Sequence, residues 1–356
     1  MENKQKKVVV GMSGGVDSSV SALLLKQQGF EVIGLHMKGE NPETREEDER
    51  RVRELCKDLD IECVVVDYTD SMQIVKDYFV REYLEGRTPN PCVVCNREVK
   101  FKPFIDYANK IGADYFATGH YARIVHDENG ASLMKAVDKN KDQSYFLCQL
   151  SKKQLEKALF PLGELTKQEV RKLAEENNLV SSFTKDSYDV CFLGSSKFKD
   201  FMSKNYPEKT GNIVDINTNE IVGKHTGISK YTIGQRRGLG VGGKSGTNGQ
   251  GWFVVKKDMK KNIIYVSQGE GDALNSTSLI SHSMNWLVRE PINDVIKAKA
   301  KFRYRQEDQD VTIYKTEEGS VRIVFDKPQR AVTVGQYAVV YDGDVCLGGA
   351  VIDEVF

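Results

Sequence analysis

A chain of 356 residues exceeds the size at which one hydrophobic core keeps growing, so two or three domains are expected. Its 51 lysines and arginines balance 51 aspartates and glutamates, which excludes a uniformly basic nucleic-acid binder and makes any cationic surface a local one. No apolar run approaches the ~20 residues of a membrane span, and the opening MENKQKKVVV lacks a signal-peptide pattern. A cytoplasmic protein without membrane contact is expected, in which seven cysteines suggest reactive or metal-bound thiols rather than structural disulfides.

In chain order, Val8–Val10 reads as a short buried strand, and Val16, Val20, Leu23 and Leu24 recur at helical spacing. Between them, Ser13, Gly14, Gly15, Asp17, Ser18 and Ser19 fall where a strand turns into a helix N-terminus, whose free N–H groups and dipole favour an anion. The two glycines allow close backbone approach to a phosphate, and the serines add donors. Asp17 suits phosphate only with a cation such as Mg²⁺ between them. The bland alternative is a glycine turn with a helix cap; a lysine-bearing P-loop is excluded, because no lysine follows the glycines.

Strand patterns at Glu31–Leu35, Glu62–Val66 and Tyr115–Thr118 alternate with helical ones, including the charge-dense Glu43–Leu59, and predict a parallel α/β sheet with ligands beyond the strands' carboxyl ends. Thr88–Phe101, TPNPCVVCNREVKF, is a presented loop: prolines flank Asn90, and Cys92 and Cys95 have CxxC spacing without a second pair. Cys191 is the third thiol of interest, and Arg97, Lys100 and Lys185 are the cations that could activate these thiols. Cys56, Cys63, Cys148 and Cys346 read as small buried apolar residues.

Helical patterns cover Lys152–Phe160 and Thr166–Asn178. Near Tyr206-Pro207 the character changes to short alternating β patterns, which predicts domains of 1–205, 206–272 and 273–356. Eight glycines in the 18 residues of Gly234–Gly251 make a long functional loop, carrying Arg236, Arg237 and Lys244. In Ile296–Arg305, five cations alternate with apolar residues and predict a strand with one wholly cationic face. Repulsion along that row would be offset by a polyphosphate backbone; the alternative is a lysine-protected edge strand.

The segment Ser13-Gly14-Gly15-Val16-Asp17-Ser18 resembles the SGGxDS signature of the PP-loop ATP pyrophosphatases. Followed in order by PNPCxxCN, Ala117–Tyr121, Lys141–Phe146, Cys191-Phe192, Gly234–Gly240 and Cys346–Gly349, it makes nearly the whole chain similar to the bacterial tRNA-specific 2-thiouridylases. That resemblance implies a PP-loop (adenine nucleotide α-hydrolase-like) domain, a small β-rich central domain and a C-terminal β-barrel. It also implies ATP-dependent, Mg²⁺-assisted replacement of the C2 oxygen of the wobble uridine by sulfur in lysine, glutamate and glutamine tRNAs. A persulfide donor, a cysteine desulfurase or sulfur relay protein, would be the second partner.

On the same resemblance, Gly11, Met12, Ser13, Gly14, Gly15, Val16, Asp17, Ser18, Met37 and Gly119 would hold ATP. Cys95 would be the nucleophile and Cys191 the persulfide carrier, with a Cys95–Cys191 disulfide as one product. Asn90, Pro91 and Cys92 would face the target base of the anticodon stem-loop, and His120, Lys141, Asp142, Gln143, Arg303, Tyr304 and Gln336 would contact the tRNA. Many relatives carry aspartate at the Cys92 position, so this chain has one thiol more than that route needs. Cys92, Cys95 and Cys191 are therefore also candidate ligands of a [4Fe–4S] cluster with one open iron. Also, the segment after Met37-Lys38 is shorter than usual. The alternatives are another PP-loop tRNA thiolase, an adenylating ligase, or a nucleotide-responsive RNA-binding protein without chemistry.

Overall fold

The computed structural model describes residues 5–38, 42–128, 130–179, 191–193, 198–241, 250–269, 271–288, 293–316 and 319–356. The first part of the chain contains strands β1 (Lys7–Gly11), β2 (Glu31–Met37), β3 (Glu62–Val66) and β4 (Tyr115–Ala117), interleaved with helices α1 (Val16–Gln27), α2 (Pro42–Asp58), α3 (Thr69–Leu84), α4 (Pro91–Val94) and α5 (Lys102–Lys110). A π-helical segment, Cys95–Phe101, connects α4 to α5. The expected parallel sheet is present, ordered β3-β2-β1-β4 and extended by β7 (Ala158–Leu159). Alternation along β1 feeds two cores: Val8 and Val10 pack with Val16, Val20, Val52 and Leu55, while Val9 packs with Phe101, Phe104 and Phe116 on the other face.

Two expectations change here. The helix read over Lys152–Phe160 ends at Lys157, where α7 (Lys152–Lys157), opened by a Ser151/Gln154 capping box, gives way to β7. Ala158 and Leu159 instead take the parallel place beside Phe116 and Ala117, so pairing on the sheet edge overrides local helical spacing. The second change is the hairpin of β5 (Ala122–Asp127) and β6 (Gly130–Lys135), which was not expected. It leaves the α/β domain and, through Val345↔Met134, joins the sheet of the last domain.

After α6 (Ser144–Leu147), α8 (Lys167–Glu176) and α9 (Phe198–Asn205), a four-stranded sheet is formed by β8 (Gly211–Asp215), β9 (Ile221–His225), β10 (Trp252–Asp258) and β11 (Ile263–Gln268). The last domain contributes β12 (Asn275–Ser281), β13 (Met284–Trp286), β14 (Val295–Lys301), β15 (Gln309–Lys315), β16 (Val321–Arg330), β17 (Tyr337–Asp342), β18 (Val345–Val351) and β19 (Glu354–Val355). With the β5–β6 hairpin these make a ten-stranded antiparallel sheet. One hydrophobic cluster runs from Val9 and Phe116 through Tyr145 and Cys148 to Tyr337, Tyr341 and Cys346, so the first and last domains share a core rather than a linker. Among the described residues no helix is long and apolar enough to cross a membrane.

Gly163, between β7 and α8, lies where this joint is tightest: a Cβ there would overlap the carbonyl of Ala122 at the root of the hairpin. Gly163→Ala should therefore destabilise the protein by about 1–3 kcal/mol through backbone overpacking. Gly271→Ala, with open space around its Cβ position, should change stability by less than about 0.5 kcal/mol. Urea unfolding midpoints check both, and an unshifted Gly163→Ala midpoint would show that the joint can relax.

Candidate functional site

The glycine turn sits at the carboxyl end of β1. Gly15 caps α1 in an extended conformation, and Gly14 has φ +80°, a left-handed conformation that favours glycine. Ser13 is exposed; its N–H donates to the Ser18 hydroxyl at 3.2 Å, and the Ser18 and Ser19 hydroxyls donate to the Gly15 carbonyl at 3.0 and 2.9 Å. Val16 anchors the helix start in the core, and Met12 is fixed by its N–H to Leu35 O and by its carbonyl to His36 Nδ1. Gly119 follows β4 so closely that a Cβ there would stand 2.9 Å from the Asp17 carbonyl carbon and 3.0 Å from the Ser18 nitrogen. A Cβ on Gly11 would meet the Phe104 ring at 2.7 Å. All these residues belong to one crowded turn.

Asp17 has partners that sequence reasoning did not find. Its Oδ1 accepts hydrogen bonds from Tyr121 Oη at 2.8 Å and Lys167 Nζ at 2.7 Å. Lys167 is nearly buried in the first turn of α8, which a Thr166/Glu169 capping box starts. That box marks a helix start in the sequence, but nothing there signals that the lysine reaches the glycine turn 150 residues earlier. A half-exposed carboxylate thus has a fixed cation beside it.

Met37 ends β2, the strand paired with β1. It packs against the cluster of Val75, Cys95 and Val99, which Met72, Val94 and Phe192 complete. Cys95 is buried at the start of the π-helical segment, whereas Cys92 is exposed, so burial directs the two thiols to different surroundings. Cys191 opens a short 3₁₀ turn, Cys191–Leu193, whose Phe192 stacks edge-on to Phe79 with centroids 5.2 Å apart and packs on the Cys95 cluster. The side chain of Cys191, together with Lys185 and Lys244, lies outside the described residues. Cys56, Cys148 and Cys346 are buried. Cys63 is half-exposed, and a hydrogen bond from Cys56 pulls its thiol down to about 7.

The residues expected at the RNA divide. Asn90 and Pro91 are buried, leaving Cys92 as the exposed member of that trio. The Asp142 carboxylate is buried, taking the N–H groups of Ala136 and Ser144 and the Ser144 hydroxyl, so the side chain shapes its loop. Gln143 exchanges hydrogen bonds with Tyr121, and Phe146 stacks on Tyr304 at 4.4 Å, which brings Lys141–Phe146 beside Arg303 and Tyr304. Gln336 donates to the carbonyls of Thr88 and Pro89.

The cationic row is also corrected. The strand stops at Lys301, and Arg303 and Arg305 lie in the turn beyond it. Lys299 faces Asp310 directly across β14–β15 at 3.1 Å, and Lys301 lies 3.7 Å from Asp308 and 3.9 Å from Asp142. Neighbouring carboxylates thus offset part of that repulsion, at Lys299 and Lys301.

His120 packs between the rings of Phe101 and Phe160, each centroid 6.0 Å away, and Thr118 Oγ1 lies 2.7 Å from its Nδ1. Burial, with Lys100 nearby, holds the imidazole well below its ordinary 6.5. As pH falls through about 6.5 the unfolded chain takes up the proton and the folded one does not, so this group lowers stability on acidification. NMR should show His120 neutral at pH 6, and His120→Gln should flatten the loss of stability between pH 7 and 5.5. A His120 titration midpoint at or above 6.5 would contradict this packing.

A parallel α/β domain with a serine-glycine turn at its first strand end, a cysteine loop beside it and two β-rich domains define a PP-loop enzyme that uses ATP. The family models agree domain by domain: a "tRNA methyl transferase HUP domain" matches residues 6–195, a "tRNA methyl transferase PRC-barrel domain" 199–268, and an "Aminomethyltransferase beta-barrel domain" 276–352. The tRNA-specific 2-thiouridylase MnmA of Alkaliphilus oremlandii is 50% identical over 99% of this chain and 98% of its own length; that of Bacillus anthracis is 48% identical over 99% and 96%. The chain belongs to the tRNA-specific 2-thiouridylase family. A remote likeness in fold links it to the U34-tRNA thiolase NcsA from Methanococcus maripaludis with its [4Fe–4S] cluster, at 21% identity, 57% of this chain, 67% of that one and a TM-score of 0.36. A 4-thiouridine synthetase–RNA complex with bound ATP matches at 19%, 52%, 44% and 0.36.

Proposed function

We propose that this protein is a tRNA-uridine 2-sulfurtransferase that replaces the C2 oxygen of the wobble uridine by sulfur in lysine, glutamate and glutamine tRNAs. The reading is supported by relatives of that name that align end to end with this chain, and by Met37, at the end of the strand paired with β1, packing against the buried Cys95. The domains are taken as 1–205, 206–272 and 273–356, with the last offering Arg303 and Tyr304 to the anticodon stem-loop. Needing tRNA and ATP, the enzyme would work in the cytoplasm.

In the proposed reaction the turn from Gly11 to Ser18, with Met37 and Gly119, binds ATP, and its amides hold the phosphates. Tyr121 and Lys167 both donate to Oδ1 of Asp17, so Oδ2 is the oxygen that would take a Mg²⁺ ion. A metal there would offset phosphate charge, and Lys167 and Tyr121 orient the Asp17 carboxylate. The uridine O2 attacks the α-phosphorus, pyrophosphate leaves, and C2 then carries AMP as its leaving group.

A persulfide Cys191–S–SH, charged by a cysteine desulfurase or relay protein, supplies the sulfur. Its terminal sulfur attacks C2 directly and displaces AMP, after which the Cys95 thiolate attacks the Cys191 sulfur and releases 2-thiouridine. Alternatively, Cys95 first liberates hydrosulfide, which attacks C2. Either way a Cys95–Cys191 disulfide forms and an external thiol reduces it. This route is favoured over an iron–sulfur cluster because it needs two thiols, Cys95 and Cys191, rather than three.

Asp17→Ala should reduce tRNA-dependent pyrophosphate release to background while leaving tRNA affinity and its salt dependence unchanged. Unchanged pyrophosphate release would remove Asp17 from the reaction. Cys92→Ser should thiolate tRNA at close to the parent rate; loss of thiolation together with loss of bound iron from anaerobically purified protein would replace the persulfide route by the cluster.

A further inference from the structure

Thr88, three residues before Pro91, is where the three domains touch. Its N–H donates to Val334 O at 2.8 Å, its hydroxyl lies 3.5 Å from Thr232 Oγ1 of the central domain, and its carbonyl accepts from Gln336 Nε2 at 2.9 Å. The same amide reaches Pro89 O at 3.2 Å. Between them Gly335, at φ +92°, comes so close that a Cβ would stand 2.9 Å from Thr88 N.

The turn that makes these contacts is itself fixed. Gly335 N and Gln336 O pair with Ile352, and Arg303 Nη2 donates to Thr333 Oγ1 at 3.0 Å and to Ala331 O. Alongside, Arg87 joins Glu82 at 2.7 Å to Asp353 at 3.0 Å, tying α3 to the end of the chain. Thr88, Pro89 and Asn90 are buried, and two prolines stiffen the path onward to α4, so a carbonyl held at Thr88 fixes where Cys95 begins its π-helical turn.

We infer that the Thr333–Gln336 turn of the C-terminal domain is a positioning element for Cys95, with Gln336 acting through the carbonyls of Thr88 and Pro89. This rests on the reading of Cys95 as the loop's nucleophile. The domain that offers Arg303 and Tyr304 to RNA thereby also holds the loop of the thiol. Because Arg303 grips the same turn, RNA bound at Arg303 is one side chain away from the loop.

Gln336→Ala removes both donated bonds, and Gln336→Glu keeps the shape but cannot donate at pH 7. In reduced, RNA-free protein, both variants should raise the rate of Cys95 alkylation by iodoacetamide, followed by peptide mass spectrometry, about tenfold or more, because a buried thiol gains access through local opening. With saturating tRNA and ATP, single-turnover thiolation should fall about ten- to a hundredfold, as for a misplaced reacting group, while tRNA affinity stays within twofold. Normal Cys95 alkylation, with weaker tRNA binding and full rate at saturation, would overturn the inference and make Gln336 an RNA contact. If the parent itself forms no thiouridine, the chemical reading fails, and alkylation alone still decides the positioning role.

Discussion

Buried peptide groups must find hydrogen-bond partners, and the loop that bears Cys92 and Cys95 cannot supply its own. The Thr88 N–H is paired with Val334 O from the last domain, and the Thr88 and Pro89 carbonyls with Gln336. Each such bond contributes only about 0.5–1.5 kcal/mol net, but leaving a buried amide unpaired costs about 1–3 kcal/mol. The cysteine loop is therefore stable in this form only when the whole chain has folded. The shared core from Val9 to Cys346 and the β5–β6 hairpin in the last sheet make the same demand at larger scale. Cys95 itself is held in an apolar cluster, shielded from solvent.

Charge is handled in the same economical way. The one carboxylate in the glycine turn is held by Lys167 and Tyr121, from two other parts of the domain. Two of the β14 lysines, Lys299 and Lys301, face aspartates on neighbouring segments. The protein's zero net charge thus reflects local pairing as well as an overall balance.

Local patterns were the most legible part of the sequence. Glu62–Val66 is a strand with the expected bounds, Lys7–Gly11 exceeds its expected strand by one residue at each end, and the glycine turn lies at a strand–helix junction. Those elements follow from side-chain periodicity and glycine's conformational range. Non-local pairing was not legible. Ala158–Leu159 looks helical and becomes a strand because an open sheet edge is available, and Ala122–Lys135 joins a sheet whose other strands lie far along the chain. Asp142 and Lys301 looked like surface charges until burial and the 3.9 Å separation between them gave them structural roles. Lys167 was invisible because only the fold brings α8 to Asp17.

The most direct test of the account is nucleoside mass spectrometry on an unmodified lysine tRNA transcript incubated with the purified chain, ATP, Mg²⁺, a persulfide donor and a thiol reductant. The account predicts 2-thiouridine at the wobble position, dependent on ATP and on both Cys95 and Cys191. Sulfur at another base or another ring position, or undiminished 2-thiouridine in Cys95→Ser, would contradict it.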